Sequence, residues 1–365
     1  MSTHAHPHTF QPLSIQAYLE PAIFAEEEQR LFSRFPRYVG HELMLSQVGD
    51  YRVLAGQAGQ VLIRGDKDVH LLSNVCSHRQ ALMLQGHGNI QRVTCPLHRW
   101  SYDLDGTLLS APRFQSKPCL HLPRTPLQSW QGLLFEGSRS VASDLGTLDV
   151  APYVDFSDYI LERVLEHDYR FNWKTFIEAY LEDYHVAAFH PGLNAVVDCA
   201  NLAWQLGSHY SLQHVGYKPP RKNTSSAIYA RWHDEMQRYH ADRAQPQFGA
   251  VWFAYYPLLM VEVYPQTVVI SYLIPRDVST TSNVIEFYYP KDIVDNHPSY
   301  IAAQQEAYLE TAREDEELCQ RMHDGRRALF EKRQNRSGPY QDPLETGLRH
   351  FHAWYGENML RPLQN

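Results

Sequence analysis

The chain is 365 residues long and carries a formal net charge of −8, with 33 lysine and arginine residues against 41 aspartate and glutamate residues. This length favours two domains, or one domain with a large insertion. The charge balance excludes nucleic acid as a main partner, because phosphate neutralisation needs a concentrated basic surface.

Neither export nor membrane insertion is indicated by the sequence. The N-terminus lacks a positively charged start followed by an apolar run, so no secretory signal is predicted. The longest apolar region, 251–275, contains Glu262 and three prolines, which favours strands over a membrane helix. Five scattered cysteines argue against disulfides. We therefore expect a soluble, cytoplasmic protein. The histidines of its first residues are interpreted as part of a disordered terminus: His4, His6 and His8.

The first half of the chain predicts a small β domain. A helix is expected over 14–35, where acidic residues and large apolar residues alternate at near-helical spacing. From Leu43 to about residue 136, short apolar runs broken by glycine and aspartate predict antiparallel strands. Small and polar residues over 137–152 then predict a linker.

The second half predicts a domain of mixed composition. A helical segment is expected at 172–190, aromatic strands at 250–290 and a long charged helix from Ser299 to Arg333. The mixture of helices with an antiparallel sheet predicts an α+β class for this half.

Two short segments of the β domain each pair a cysteine with a histidine. They are Cys76-Ser-His78 and Cys95-Pro-Leu-His98. Two thiolates and two imidazoles suit either tetrahedral zinc or a Rieske [2Fe–2S] cluster, in which one iron has two cysteines and the other two histidines. The spacing favours the cluster, because zinc sites usually pair like ligands whereas each segment here supplies one of each kind. A third Cys-x-His pair, at 119–121, has no partner segment and is interpreted as core or surface.

The segment from 172 to 193 contains a second set of candidate metal ligands. Glu182 and His185 are three residues apart and share a face of a helix. His190 lies about 140° further around an ideal helix, but Pro191 disfavours the helical conformation at the residue before it and allows the ring to turn back. Two imidazoles and one carboxylate are the ligand set of non-haem Fe(II) oxygenases.

The third ligand is expected from the long C-terminal helix. Asp315 is an acid on a mostly apolar stripe of that helix, and a buried carboxylate without a partner is costly. Glu316 and Glu317 point away from the stripe, and Glu314 and Asp324 are the competing candidates. The stripe comprises Tyr308, Ala312, Asp315, Cys319 and Met322.

These motifs, in this order along nearly the whole chain, resemble the oxygenase α subunit of the Rieske non-haem iron ring-hydroxylating oxygenases. The matching stretches are VGDYRV, NVCSHR, CPLHRWSYDLDGTL, NWKTFIEAYLEDYHVAAFHPG, VEVYP and EDEELC. The resemblance implies a Rieske β-sandwich domain at 40–145 and a helix-grip catalytic domain formed by 1–39 and 146–365. It implies that Cys76, His78, Cys95 and His98 hold the [2Fe–2S] cluster, and that His185, His190 and Asp315 hold a mononuclear Fe(II).

Glu182 takes the position of the family's bridging acid, which relays between a cluster histidine, here His98, and an iron histidine, here His185, across a subunit boundary. Most ring-dihydroxylating members carry aspartate there, and glutamate is more like the choline, carnitine and demethylase-type branches. The resemblance also implies head-to-tail assembly, commonly a homotrimer. The sequence departs from the family at Ser77 and Gln80, where proline and glycine are frequent, and at Pro257-Leu258, where Pro-Asn is frequent.

The activity implied is oxygenation of a small aromatic or amine substrate, by hydroxylation or oxidative demethylation, with O₂. Electrons would come from a separate NAD(P)H-dependent reductase, directly or through a ferredoxin. The alternatives are a cis-dihydroxylating dioxygenase of aromatic hydrocarbon catabolism, an electron-transfer or sensor iron-sulfur protein without oxygenase activity, and a structural zinc protein. The expected pocket residues are Trp252, Tyr255, Met260 and Tyr272.

Overall fold

The computed structural model describes residues 12–148, 155–218, 226–244 and 246–360. These residues form two compact units, one of 34–143 and one that joins the N-terminal residues up to 33 to the chain from 144 onward. The sequence placed the smaller domain at 40–145. The N-terminal histidines lie outside the described residues. No helix in the described ranges is long and apolar enough to cross a membrane.

The smaller unit is built from short antiparallel strands in three sheets. A five-stranded sheet has the order β5-β2-β3-β4-β9, and two three-stranded sheets have the orders β1-β11-β10 and β6-β7-β8. The strands are β1 Arg37–His41, β2 Asp50–Leu54, β3 Gln57–Arg64, β4 Val69–Ser73, β5 His87–Asn89, β6 Val93–Thr94, β7 Ser101–Tyr102, β8 Leu108–Ser110, β9 Arg124–Thr125, β10 Leu127–Trp130 and β11 Leu133–Glu136. A 3-10 turn at Glu42–Met44 and the short helix α3 Val141–Asp144 flank them.

Alternation along the central strand β3 separates two hydrophobic layers in this unit. Val61 and Ile63 point into a cluster that contains Cys76 and Cys95, whereas Leu62 points into the opposite cluster. Successive side chains of a strand lie on opposite faces. One face of the sheet therefore supports the cysteine-bearing loops.

The larger unit is organised around a seven-stranded antiparallel sheet of order β12-β18-β17-β16-β15-β14-β13. Its strands are β12 Tyr159–Tyr169, β13 Val197–Leu206, β14 Tyr210–Tyr217, β15 Ala250–Tyr255, β16 Leu259–Tyr264, β17 Thr267–Asp277 and β18 Thr280–Pro290. Its helices are α1 Gln16–Leu19, α2 Pro21–Glu27, α4 Trp173–Tyr180, α5 Val186–Phe189, α6 Ala227–Tyr239, α7 Lys291–Asn296, α8 Pro298–Glu331 and α9 Thr346–Leu360, with a π-helical turn at Glu28–Phe32 and a 3-10 turn at Leu193–Ala195.

Helices α6 and α8 pack against one face of this sheet. The side chains that face them from neighbouring strands, such as Trp252, Val269 and Phe287, form one buried cluster with residues of both helices. The combination of an antiparallel sheet with packed helices confirms the predicted α+β class.

Two sequence predictions of helices were inaccurate. The expected helix over 14–35 is divided into α1, α2 and the π-helical turn, because Pro21 begins a new helix after the extended Glu20. Helix α6 had no counterpart among the elements predicted from the sequence.

Candidate active site

The loops 76–81 and 95–100, here called the cluster loops, share one backbone hydrogen-bond pattern. In the first, the Cys76 N–H donates to the carbonyl of Ala81 (2.9 Å) and the Gln80 N–H donates to the carbonyl of Cys76 (3.0 Å). Gln80 has a φ of +56°, which explains why glycine is frequent there in the resembled family. The second loop repeats both bonds, from Cys95 N–H to Trp100 O (2.8 Å) and from Arg99 N–H to Cys95 O (3.1 Å).

Both loops bury the cysteine, whereas the histidine is half-buried in the first loop and exposed in the second. Cys76 and Cys95 are buried, His98 is exposed, and the rings of His78 and His98 are 4.8 Å apart. The His78 ring stacks on Trp100 at 4.7 Å with an interplanar angle of 3°. The two loops are therefore neighbours in space and bring the four predicted cluster ligands close to one another.

The chemistry of Cys76 suits metal binding. Burial raises the pKa of the Cys76 thiol, but a hydrogen bond with the Tyr102 hydroxyl, at 3.4 Å, and backbone hydrogen bonds lower it, and the pKa is lowered overall. Thiolate is the form that binds metal.

The spread of the donors favours a cluster over a single ion. Within the described ranges, only the group described below brings three histidine, cysteine or carboxylate donor atoms within 4.8 Å of one another. A tetrahedral zinc ion, with bonds of about 2.0–2.3 Å, needs its four donors closer than that. The cluster loops therefore fit a two-iron group better than structural zinc.

In the larger unit, His185, His190 and Asp315 form a compact group, here called the triad. The Nε2 atoms of the two histidines are 3.0 Å apart. An Asp315 carboxylate oxygen lies 3.0 Å from Nε2 of His190 and 3.6 Å from Nε2 of His185. These three donors could hold one metal ion and leave further positions open.

The histidines of the triad are positioned by a break between helices α4 and α5. The sequence predicted one helical segment over 172–190, but α4 ends at Tyr180 and α5 begins only after His185. Glu182 lies in the break, and its carboxylate accepts the N–H groups of Tyr184 (2.5 Å) and His185 (3.1 Å). Such local side-chain bonds compete with helical ones. His190 ends α5 with φ −114° and ψ 70°, outside the helical region, as expected before proline.

A carboxylate holds the outer nitrogen of each triad histidine. Glu182 lies 2.5 Å from Nδ1 of His185, and Glu314 lies 2.7 Å from Nδ1 of His190. These contacts turn both Nε2 atoms toward Asp315, the arrangement that orients histidines in metal sites. Sequence analysis left Glu314 as a competing candidate for the third ligand. In the structure Glu314 contacts Nδ1 of His190, whereas Asp315 contacts Nε2.

The carboxylates in and around the triad favour the protonated, positively charged form of both histidines. Burial opposes protonation of His185, but the Asp315 and Glu182 carboxylates raise its pKa to about 10. Burial likewise opposes protonation of His190, and Asp315 and Glu314 raise its pKa. Binding of a cation would displace these protons.

The remaining acidic candidates lie at the surface. Glu316 pairs with His167 at 3.0 Å and Glu317 with Arg321 at 2.5 Å. Asp324 accepts a hydrogen bond from Gln320. In the third Cys-x-His pair, Cys119 is exposed, with its sulfur 3.7 Å from Nε2 of His121.

A cavity opens beside the triad, between the sheet, α6 and α8. Of the four expected pocket residues only Trp252 lines it; Tyr255 instead donates a hydrogen bond to Asp144, at 2.7 Å. Sequence analysis missed Glu262, a lone acid in the apolar strand β16. The lining consists of Tyr169, Phe176, Ala179, Tyr180, Glu182, Asp183, His185, Val186, His190, Leu193, Tyr229, Trp232, Trp252, Glu262, Tyr264, Asn283, Ile285, Gln304, Tyr308, Thr311, Ala312 and Asp315.

Comparison with known proteins agrees with the division of the chain into two units. Residues 38–130 match the Rieske [2Fe-2S] domain, and residues 156–361 match the catalytic domain of the ring hydroxylating alpha subunit. The chain is 51% identical to the putrescine 2-hydroxylase of Ralstonia nicotianae, with 94% of each chain covered. It is 45% identical to the putrescine 2-hydroxylase of Bordetella bronchiseptica, with 94% of this chain and 83% of the relative covered.

Among solved structures, the fold is similar to that of the quaternary ammonium Rieske monooxygenase CntA in complex with an inhibitor. The TM-score is 0.79 at 20% identity, with 96% of this chain and 95% of that chain covered. At this identity the likeness concerns the fold.

The fold and the family matches define an iron-dependent oxidoreductase that activates dioxygen. The chain belongs to the Rieske oxygenases, as an α subunit of the ring-hydroxylating type. Its cofactors are the Rieske [2Fe–2S] cluster and a mononuclear non-haem iron. Members of this family rely on a reductase or ferredoxin for electrons and form oligomers.

Proposed function

We propose that this oxygenase hydroxylates a carbon of a small aliphatic amine, with a diamine such as putrescine as the first candidate. The proposal is carried by the 51% identity, over 94% of the chain, to a protein named for putrescine 2-hydroxylation. The second relative has the same name. Aromatic hydrocarbon catabolism, which the sequence left open, receives no support from these relatives.

In this proposal the triad binds the iron through Nε2 of His185, Nε2 of His190 and the Asp315 carboxylate. The donor set fits ferrous iron, because two imidazoles and one carboxylate within 4.8 Å leave open positions. When bound, the iron supplies the activation of O₂. Glu182 and Glu314 keep the two imidazoles oriented, and the buried aromatic residues of the cavity exclude water.

We further propose that Cys76, His78, Cys95 and His98 bind the [2Fe–2S] cluster. The repeated hydrogen bonds of the cluster loops support this assignment, as does the lowered pKa of Cys76. Glu182 is proposed to couple this cluster to the triad of a neighbouring subunit in a homotrimer. Its direct contact with Nδ1 of His185 supports that role.

The overall reaction balances as one C–H bond and O₂ converted, with two electrons and two protons, into one C–OH group and water. The electrons are proposed to come from NAD(P)H through a separate reductase, with or without a ferredoxin. A protein limited to electron transfer has no use for the triad and its cavity, so oxygenase activity is the better interpretation.

The test is reconstitution of the full chain with a surrogate reductase, NADH and putrescine. We expect amine-dependent O₂ uptake and a product heavier than putrescine by one oxygen atom, which mass spectrometry detects. Naphthalene, choline and butylamine are run in parallel. Oxidation of naphthalene without any amine product would contradict the proposal.

A further inference from the structure

Glu262 is a buried carboxylate on the cavity side of the central sheet. In the register of β15, β16 and β17 it pairs with Trp252 on one side and Val269 on the other. Directly paired residues of antiparallel strands share a face, and both partners belong to the cluster that faces the cavity helices. Glu262 itself lines the cavity and is 7% exposed.

Only neutral groups hold this carboxylate. One oxygen accepts the Tyr264 hydroxyl at 2.6 Å and the other accepts the Tyr308 hydroxyl at 3.1 Å. The Trp252 indole N–H donates a hydrogen bond to the Tyr264 hydroxyl oxygen at 3.1 Å. Among the described residues, the groups that act on Glu262 are the Tyr264 and Tyr308 hydroxyls and the Asp315 carboxylate, and none of them is a cation. A buried carboxylate without a cation is costly, so a cation in the cavity would compensate it.

The other acids around the cavity are not available for this purpose. Glu182 and Asp315 are engaged by the triad histidines. Both carboxylate oxygens of Asp183 are closed off from solvent. Glu262, which is 7% exposed against 2% for Asp183, is therefore the strongest candidate among these acids for contact with a ligand in the cavity.

We propose that Glu262 recognises the ammonium group of the substrate, as the residue that selects amines. This inference rests on the proposed function, which it deepens. A primary ammonium can donate a hydrogen bond to the carboxylate, whereas a quaternary ammonium has no N–H to donate. The rings of Trp252, Tyr264 and Tyr308 line the cavity around Glu262 and attract a cation through their faces.

The same strands offer a matched control. Glu286 on β18 is also buried and also accepts a hydrogen bond from a tyrosine two residues on, Tyr288, at 2.8 Å. It pairs with Ile270, so it lies on the opposite face from Glu262, away from the cavity. A loss specific to the cavity carboxylate should therefore be absent from a Glu286 variant.

The experiment is calorimetric titration of the anaerobic holoenzyme with putrescine. For Glu262→Gln we expect roughly 10- to 100-fold weaker binding, the effect of losing a charged hydrogen bond. Glu286→Gln should bind within about twofold of the wild type. Glu262→Asp, which keeps the charge, should recover part of the loss. Iron content and thermal unfolding establish that each variant is folded.

Unchanged putrescine affinity in a folded Glu262→Gln protein would overturn the inference, as would an equal loss in Glu286→Gln. If the wild type hydroxylates putrescine while Glu262→Gln binds it normally, the proposed function stands and the role of Glu262 fails. If the wild type binds putrescine through Glu262 but forms no hydroxylated product, the role of Glu262 stands and the proposed function fails. If the wild type does not bind putrescine, the role of Glu262 fails.

Discussion

In the cluster loops the backbone sets the geometry and a histidine lies at the surface, whereas in the triad the histidines are largely buried and carboxylates set the geometry. Each cluster loop is a unit of six residues closed by two backbone hydrogen bonds within the loop. The triad instead joins two separate parts of the chain, residues 182–190 and α8. A change in one loop should therefore stay local, and a change in the triad should affect several elements.

The largest expected effect is that of Asp315→Ala. Removal of one of the three proposed ligands should abolish the mononuclear iron and lower product formation by more than roughly 100-fold, beyond the effect of losing an outer partner. The visible spectrum of the cluster should be unchanged. Iron stoichiometry and turnover are measured beside the control Glu316→Ala on the exposed side of α8. Full iron content in Asp315→Ala would contradict the assignment.

Next in size is Glu182→Gln. We expect the cluster to be reduced and the iron to bind when iron is supplied in excess, but turnover nearly to vanish, because the amide cannot carry the proposed coupling charge. Rapid-mixing reduction of the cluster and steady-state turnover separate the two steps. Tyr184→Phe, at the exposed neighbouring side chain, is the control. Normal turnover in Glu182→Gln would exclude it as the bridge.

Glu314→Gln tests the carboxylate support that distinguishes the triad from the cluster loops. Loss of the charged contact with Nδ1 of His190 should weaken iron binding by about 10- to 100-fold. Iron affinity is measured by competition with a chelator, with Glu317→Gln on the exposed face as the control. Equal affinity in both variants would show that His190 needs no such support.

The cavity beside the triad should respond to pH. Burial raises the pKa of Glu262 to about 7, and the Tyr264 and Tyr308 hydroxyls only partly offset this. The nearby Tyr180 hydroxyl stays neutral because burial raises its pKa, so Asp315 is the other charge that faces this acid. Protonated Glu262 cannot pair with an ammonium, so putrescine affinity should rise about tenfold between pH 6 and pH 8.

Calorimetric titrations across this range give the measurement. The titrations are made on the protein without the mononuclear iron, because bound iron adds positive charge and should move the midpoint to lower pH. The Glu262→Gln protein should show a flat profile. A flat profile in the wild type would contradict ionisation of Glu262 in this range.

The smallest effect is expected in the first cluster loop. Gln80→Gly removes the cost of a left-handed conformation but adds freedom to the unfolded chain, so the net gain in unfolding free energy should be at most about 1 kcal/mol. Ala81→Gly, outside the left-handed region, should destabilise instead. Denaturation followed through the cluster absorbance compares the two. A loss of stability in Gln80→Gly would show that its side chain, and not its φ, matters.

The contrast between the regions also explains what could be predicted from the sequence. The cluster loops were visible because Cys76, His78, Cys95 and His98 are close together in sequence. The long helix was expected at Ser299–Arg333 and is found at Pro298–Glu331. Proline chemistry correctly anticipated the conformation of His190.

Features that depend on long-range packing could not be predicted from the sequence. The break after Tyr180 depends on Glu182 accepting backbone N–H groups, which helical periodicity does not reveal. Sequence analysis identified Glu262 only as a charge in an apolar strand. Its place in the cavity depends on contact with Tyr308 of the distant helix α8, which the local sequence does not reveal. Tyr255 was wrongly predicted to line the pocket, because strand β15 carries aromatic residues on both of its faces and the sequence does not show which face lies toward the cavity.

Helix α8 carries both Asp315 and Tyr308, the tyrosine that donates to Glu262. They are seven positions apart in the helix, a rise of about 10 Å. If Glu262 binds one ammonium group of a diamine as proposed, one helix positions both that end of the substrate and the proposed iron ligand Asp315. The distance from the bound ammonium group would then determine which carbon is hydroxylated. Diamines longer or shorter than putrescine would then be hydroxylated at the same position counted from the bound ammonium group.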